Sequence, residues 1–259
     1  MAFIQCDFYS EVLGMSTSIQ VILPQQTTSQ IGLEGSAGGR RHPTLYLLHG
    51  LSDDDSIWMR RTAIERYAAP LGLAVVMPNA ARSFYTDMEN GYDYWTFLSE
   101  ELPQVCRSFF PLSDRREDNF VAGLSMGGYG AFKWALKKPD QFAAAASLSG
   151  VTQVKEIETR FPKDFRLVFG NNQELLGASD LFALARHAAE KKTELPALYQ
   201  CCGTDDFLYE ENIAFRDYVQ SLNIPLLYEE EEGRIHDWSY WDQQISRVLE
   251  WLPLKRQTE

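Results

Sequence analysis

Short apolar runs alternate with segments of helical spacing along most of this chain, and that rhythm admits few architectures. The runs fall at 45–48, 74–77, 120–124, 144–148, 197–202 and 226–229. Between and after them, apolar residues three or four apart predict helices over 57–69, 94–109, 126–137, 180–191, 210–222 and 238–251. Strands that alternate with helices predict a mostly parallel sheet with helices on both faces. Ahead of this pattern, 3–10 and 16–23 read as strands on either side of Gly14, which predicts an antiparallel hairpin at the N-terminal edge of the sheet. Pro139, Pro196 and Pro225 follow helical segments, where proline punctuates. The polar, glycine-rich stretch 25–42 reads as an exposed loop, and the irregular stretch 152–177 as a segment that caps or borders a site. A chain of 259 residues with this pattern is expected to form a single α/β domain over 1–259.

Charge narrows the range of partners. Lys and Arg number 24 against 36 Asp and Glu, a net charge of −12. Binding to nucleic acid or to an anionic membrane relies on concentrated positive charge, so neither is expected. No apolar run approaches the roughly 20 residues that span a bilayer. The first residues, Met1 to Asp7, have no basic region, apolar core or cleavage site of a secretory signal, which predicts a cytoplasmic protein. Cys6, Cys106, Cys201 and Cys202 show no CxxC spacing, with Cys201-Cys202 in an apolar strand-like run, and read as buried free thiols.

The strongest chemical signal is Gly123-Leu124-Ser125-Met126-Gly127-Gly128, which follows a strand-like run and opens a helix. A nucleophile on a tight strand-to-helix turn needs glycine on both sides, because the backbone is strained and neighbouring side chains would clash. The turn raises Ser125 above the strand ends and sets the Met126 backbone N–H at a helix N-terminus, where it can donate to an oxyanion. A serine hydroxyl is a poor nucleophile by itself, so a histidine base and an orienting acid are required.

Four histidines are available. His42 precedes a proline at the end of a polar loop and His187 lies mid-helix, so both read as structural or solvated. His49 ends a strand upstream of Ser125 and shapes the following loop. When the nucleophile sits on this kind of elbow the chain order is serine, acid, histidine, and a loop after the last strand can reach over the strand ends. His236 is therefore the expected base. For the acid, Cys202-Gly203-Thr204-Asp205-Asp206 offers two carboxylates beyond a strand; Gly203 turns the chain away from the sheet and Asp206 then points back. Asp205 is left as a solvated or helix-capping residue. A second oxyanion donor is expected from the loop after 45–48, where Gly50 permits close approach and the Leu51 N–H is the candidate.

Other features read more plainly. Asp53, Asp54 and Asp55 are adjacent carboxylates on a loop, a pattern of solvated surface or helix-start charge more than of a metal site. The run 229–232 reads as a solvated strand end. Among the many aromatic residues, Trp58, Tyr85 and Phe207 lie near strand ends and are candidates to line a pocket. Nothing in the sequence calls for a cofactor or metal.

The chain resembles the esterase D group of α/β-hydrolases, the bacterial tributyrin esterases in particular, with S-formylglutathione hydrolases and feruloyl or acetylxylan esterases as cousins. The resemblance spans nearly the whole chain. It is carried by Tyr46-Leu47-Leu48-His49-Gly50, Val75-Val76-Met77-Pro78-Asn79, Phe84-Tyr85-Thr86-Asp87, Glu100-Glu101-Leu102-Pro103, the segment from Ala122 to Gly130, that from Cys202 to Tyr209, and His236-Asp237-Trp238. It implies an α/β-hydrolase fold, a nucleophile at Ser125, an acid at Asp206, a base at His236 and hydrolysis of short acyl esters. The implied partner is a small-molecule ester, and a homo-oligomer is compatible with it. One departure stands out: Leu51-Ser52-Asp53-Asp54-Asp55-Ser56 lacks the cysteine-containing loop of the glutathione-thioester hydrolases, which weighs against a formylglutathione substrate.

Overall fold

The computed structural model describes residues 1–29, 31, 35–36 and 41–254. Within the 25–42 stretch, therefore, residues 30, 32–34 and 37–40 lie outside the described residues. Strands β1 (Ala2–Ser10), β2 (Met15–Leu23), β3 (Thr44–Leu48), β4 (Ala74–Pro78), β5 (Asn119–Leu124), β6 (Ala144–Leu148), β7 (Ala197–Gly203) and β8 (Leu226–Glu231) form one sheet in the order β1-β2-β4-β3-β5-β6-β7-β8. β1 and β2 are an antiparallel hairpin, β2 joins β4 antiparallel, and β4, β3, β5, β6, β7 and β8 run parallel. Gly14 makes the hairpin turn in the left-handed region at φ +64°, where a side chain is disfavoured.

Alternation along the central strands divides the core between the two faces of the sheet. On β3, Tyr46 and Leu48 join Val76, Val121 and Ala145 on one face, whereas Leu45 and Leu47 join Val75, Phe120 and Ala122 on the other. The first face is covered by helices Leu102–Phe109, Met126–Lys137, Leu181–Glu190 and Tyr209–Ser221. Helix Trp238–Trp251 covers the second, with Tyr240, Trp241, Ile245, Val248 and Leu249 turned inward. Each such large side chain taken from water contributes about 1.5–3 kcal/mol. Every residue of Met126–Lys137 except Lys137 is buried, because this helix lies between the sheet and further helices.

Two predicted helices are interrupted. The segment 57–69 divides into Ile57–Arg61, Ile64–Ala68 and a 3-10 turn Ala69–Leu71. Thr62 is extended, its hydroxyl donates to the Trp58 carbonyl at 2.6 Å, and the freed Ala63 N–H donates to Asp242 at 2.9 Å. The segment 94–109 holds a π-helical stretch, Phe97–Glu101, before Leu102–Phe109. The irregular 152–177 stretch winds into several short helices, among them Ile157–Arg160, Pro162–Val168 and Gln173–Ala178. Among the described residues no helix is long and apolar enough to cross a membrane.

Candidate active site

Because β3, β5, β7 and β8 are parallel, the loops after their C-terminal ends share one edge of the sheet. The loop after β5 is the turn at Ser125, which has φ +53° and ψ −117°, a region that residues with a side chain rarely enter. It is pinned on both sides: the Ser125 N–H donates to the Leu148 carbonyl at 2.9 Å, and its carbonyl accepts from Tyr129 and Val151, each at 3.1 Å. A Cβ at position 123 would lie 2.4 Å from the Gly127 carbonyl oxygen, and one at 127 would lie 2.4 Å from the Leu48 carbonyl oxygen. The two glycines flanking the serine are thus demanded by backbone contact.

The loops after β7 and β8 are laced together. The Thr204 N–H donates to the Glu231 carbonyl at 3.1 Å and the Asp205 N–H to the Arg234 carbonyl at 3.0 Å. A Cβ at position 203 would meet that same Arg234 carbonyl oxygen at 2.2 Å, so the approach needs glycine. This lacing brings His236 to Asp206: His236 Nδ1 lies 2.8 Å from Asp206 Oδ2, while Asp206 Oδ1 accepts the Leu208 N–H at 2.9 Å. The Asp206 side chain is fully buried and Asp205 is exposed. The carboxylate can only accept, so Nδ1 carries the proton and Nε2 of the neutral ring is left as an acceptor. The imidazole packs against the Phe207 ring, 4.6 Å away between ring centres, and nearly at right angles to the Trp241 ring, 4.7 Å away between ring centres. Next to it, Asp237 caps helix Trp238–Trp251 by accepting the Tyr240 N–H at 2.9 Å, a bond that holds its carboxyl below the usual range.

Ser125 and His236 open on one cavity of about 440 Å³, together with Leu51, Met126, Phe84, Val151, Arg160, Phe161, Phe207 and Trp238. No hydrogen bond joins the Ser125 hydroxyl to His236, and among the described residues neither the Leu51 N–H nor the Met126 N–H donates to a protein acceptor. Ser125, His236, Leu51 and Met126 thus all line one cavity, and the Leu51 and Met126 N–H groups have no protein acceptor among the described residues.

The loop that carries Leu51 is braced from below. His49 is buried, its Nδ1 donating to the Gly50 carbonyl at 2.7 Å and its Nε2 accepting the Ala80 N–H at 2.9 Å. Burial pulls its pKa down to about 4, so the ring is neutral. Trp58 and Tyr85 do not line the cavity; both are fully buried and hold this loop instead, Trp58 Nε1 donating to the Leu48 carbonyl at 3.0 Å and the Tyr85 hydroxyl to the His49 carbonyl at 2.8 Å. Of the three aromatic candidates only Phe207 lines the cavity.

The three adjacent aspartates have separate fates, which corrects the reading of a solvated run. Asp53 lines the cavity and is half-buried, with burial pushing its pKa up against a bond from the Gly50 N–H. Asp54 is exposed and accepts from both the backbone and the hydroxyl of Ser56. Asp55 is buried and accepts the Ser18 hydroxyl at 3.2 Å. Among the described residues no group of three His, Cys, Asp or Glu side chains is arranged to hold a metal ion. His42 is buried, with burial lowering its pKa, and His187 is exposed on helix Leu181–Glu190. The cysteines are free, three of them buried.

A family model described as esterase matches residues 10–252. The chain belongs to the esterase family. This esterase is similar to an acetyl esterase of Caldicellulosiruptor saccharolyticus, 34% identical over 264 residues that cover 97% of this chain and 98% of the relative. Among solved structures it is similar to the substrate-bound fluorophosphonate-binding serine hydrolase FphF of Staphylococcus aureus, with 38% identity, TM-score 0.87 and coverage of 97% and 98% of the two chains. It is also similar to the S-formylglutathione hydrolase FrmB of the same organism, with 37% identity, TM-score 0.85 and the same coverage. The fold is that of the α/β-hydrolases, and the esterase is a serine carboxylic ester hydrolase. Sequence reasoning missed the cavity residues Arg82, Arg160 and Phe161, for which no local pattern is a signal.

Proposed function

We propose that this esterase hydrolyses short-chain acyl esters through Ser125, His236 and Asp206. Ser125 Oγ attacks the ester carbonyl while His236 Nε2 takes its proton, and Asp206 stabilises the resulting imidazolium. The carbonyl oxygen becomes an oxyanion that accepts from the N–H groups of Leu51 and Met126. Collapse expels the alcohol, which takes the proton from His236, and leaves the acyl group on Ser125. Water activated by His236 then attacks the acyl-enzyme and releases the acid.

The observation that carries this reading is the 2.8 Å bond from His236 Nδ1 to Asp206 beside a cavity into which Ser125 also opens. Similarity to an acetyl esterase favours a short acyl group. Similarity to FrmB favours a thioester as the second reading, against which stands the Leu51 to Ser56 loop. The whole chain acts as one domain, since a single sheet supplies every loop of the site, and its free cysteines suit the reducing cytoplasm. Ser125→Ala should abolish turnover of p-nitrophenyl acetate and butyrate and labelling by a fluorophosphonate, with the unfolding midpoint retained. Unchanged turnover would overturn the mechanism, and a higher kcat/KM on S-formylglutathione than on either ester would select the thioester reading.

A further inference from the structure

Arg82 stands on the loop after β4 with half of its side chain exposed, yet its guanidinium is committed in three directions. Nε donates to Asp164 Oδ1 and Nη2 to Asp164 Oδ2, each at 2.7 Å, and Nη1 donates to the Leu51 carbonyl at 3.2 Å. A two-pronged contact with a carboxylate fixes the plane of the guanidinium as well as its position, so the third donor is presented in one direction. The carboxylate is itself fixed: the Asp164 side chain is 9% exposed and sits on helix Pro162–Val168, in the segment that borders the site. Arg82 lines the cavity and Asp164 does not.

Leu51 lines the cavity, and its carbonyl lies on the peptide that follows the one carrying its N–H, so a pull on one peptide bears on the other through the shared Cα. Trp58 and Tyr85 hold the Leu48 and His49 carbonyls, His49 holds the Gly50 carbonyl, which shares a peptide plane with the Leu51 N–H, and Arg82 holds the next peptide through the Leu51 carbonyl, so the Leu51 Cα is fixed from both sides. We propose that Arg82 is a positioning residue that aims the Leu51 N–H at the oxyanion, with Asp164 as its anchor, so that the oxyanion loop and the bordering helix act as one unit. The proposal rests on the serine-esterase reading above.

The test compares Arg82→Ala, Arg82→Lys and Asp164→Asn with the parent enzyme. It measures kcat and KM on p-nitrophenyl butyrate and inhibition by a butyl trifluoromethyl ketone, which adds Ser125 Oγ and places negative charge on the former carbonyl oxygen. Displacement of a reacting group by about 1 Å costs up to 100-fold. Arg82→Ala and Asp164→Asn should each lower kcat by about tenfold or more on that scale, raise the ketone Ki in proportion and leave KM within about twofold. Arg82→Lys, which keeps the charge and loses the fork, should recover part of the loss. Asp164→Asn is decisive, because it preserves shape and touches no substrate. Kinetics and ketone affinity within about twofold of the parent in that variant would overturn the proposal, as would a rise in KM at constant kcat in the Arg82 variants. Should Arg82→Ala fail to fold, Asp164→Asn and Arg82→Lys decide. Failure of the underlying reading would look different: the parent would neither hydrolyse the ester nor react with a fluorophosphonate.

Discussion

His49 should make the enzyme lose stability on acidification by an amount that one substitution can isolate. Its pKa falls from the ordinary 6.5 to about 4 in the folded protein because the buried ring cannot be charged at low cost. Between those values the unfolded chain binds a proton that the folded chain refuses, so the group's contribution is complete above pH 6.5, declines as pH falls and is lost below about pH 4. From pH 8 to pH 5 the loss is about 2 kcal/mol for this group alone, worked from those two values. In His49→Gln a side-chain amide can still donate toward Gly50 and accept from Ala80, and it does not titrate. Urea unfolding of parent and variant at both pH values gives the difference of differences, in which the contributions of carboxylates and of His42 cancel. The parent should lose about 2 kcal/mol more than the variant. Equal losses would refute the assignment of a buried, neutral His49.

The remaining predictions concern packing. Gly127→Ala would set a Cβ 2.4 Å from the Leu48 carbonyl oxygen and 2.7 Å from that of His49, backbone atoms that cannot swing aside, so a loss of about 3 kcal/mol or more is expected in urea unfolding together with loss of turnover. Trp238→Ala removes a cavity wall that packs edge-on against Trp58 and Trp241, and the ratio of kcat/KM for octanoyl over butyryl esters should rise.

What the sequence made legible was what local chemistry enforces. β3 and β5 are buried on both faces, so their apolar runs are continuous and visible, and the Ser125 turn is marked by glycines that backbone contact requires. Asp206 and His236 followed from chain order and loop position, and the structure puts them in contact across 30 residues of sequence. What stayed hidden depends on partners far along the chain. Nothing near Thr62 tells that Asp242 will accept the Ala63 N–H and end a helix, and nothing near Arg82 tells that Asp164 will hold it. The three consecutive aspartates look alike in sequence and diverge because one backbone turn sends them to a cavity, to solvent and beneath Ser18.

The strained serine itself yields the sharpest test of the turn. At φ +53° and ψ −117° the Cβ of any L-residue is crowded by its own backbone, a cost of about 1–3 kcal/mol that the bonds to Leu148, Tyr129 and Val151 must hold in place. Alanine at position 125 keeps that cost and glycine removes it. Elsewhere in an ordered segment glycine is less stable than alanine by roughly 0.5–1 kcal/mol, because it loses more freedom on folding. Here the order should reverse: Ser125→Gly and Ser125→Ala should both be inactive, with the glycine variant the more stable by about 1 kcal/mol once relief of strain is set against that entropy. Thermal or urea unfolding of the two inactive proteins reads the sign directly. An alanine variant more stable than the glycine variant by that ordinary margin of roughly 0.5–1 kcal/mol would mean that the turn stores no strain, and Gly123 and Gly127 would then owe their place to backbone contact alone, with Gly127 in the first case and with Leu48 and His49 in the second.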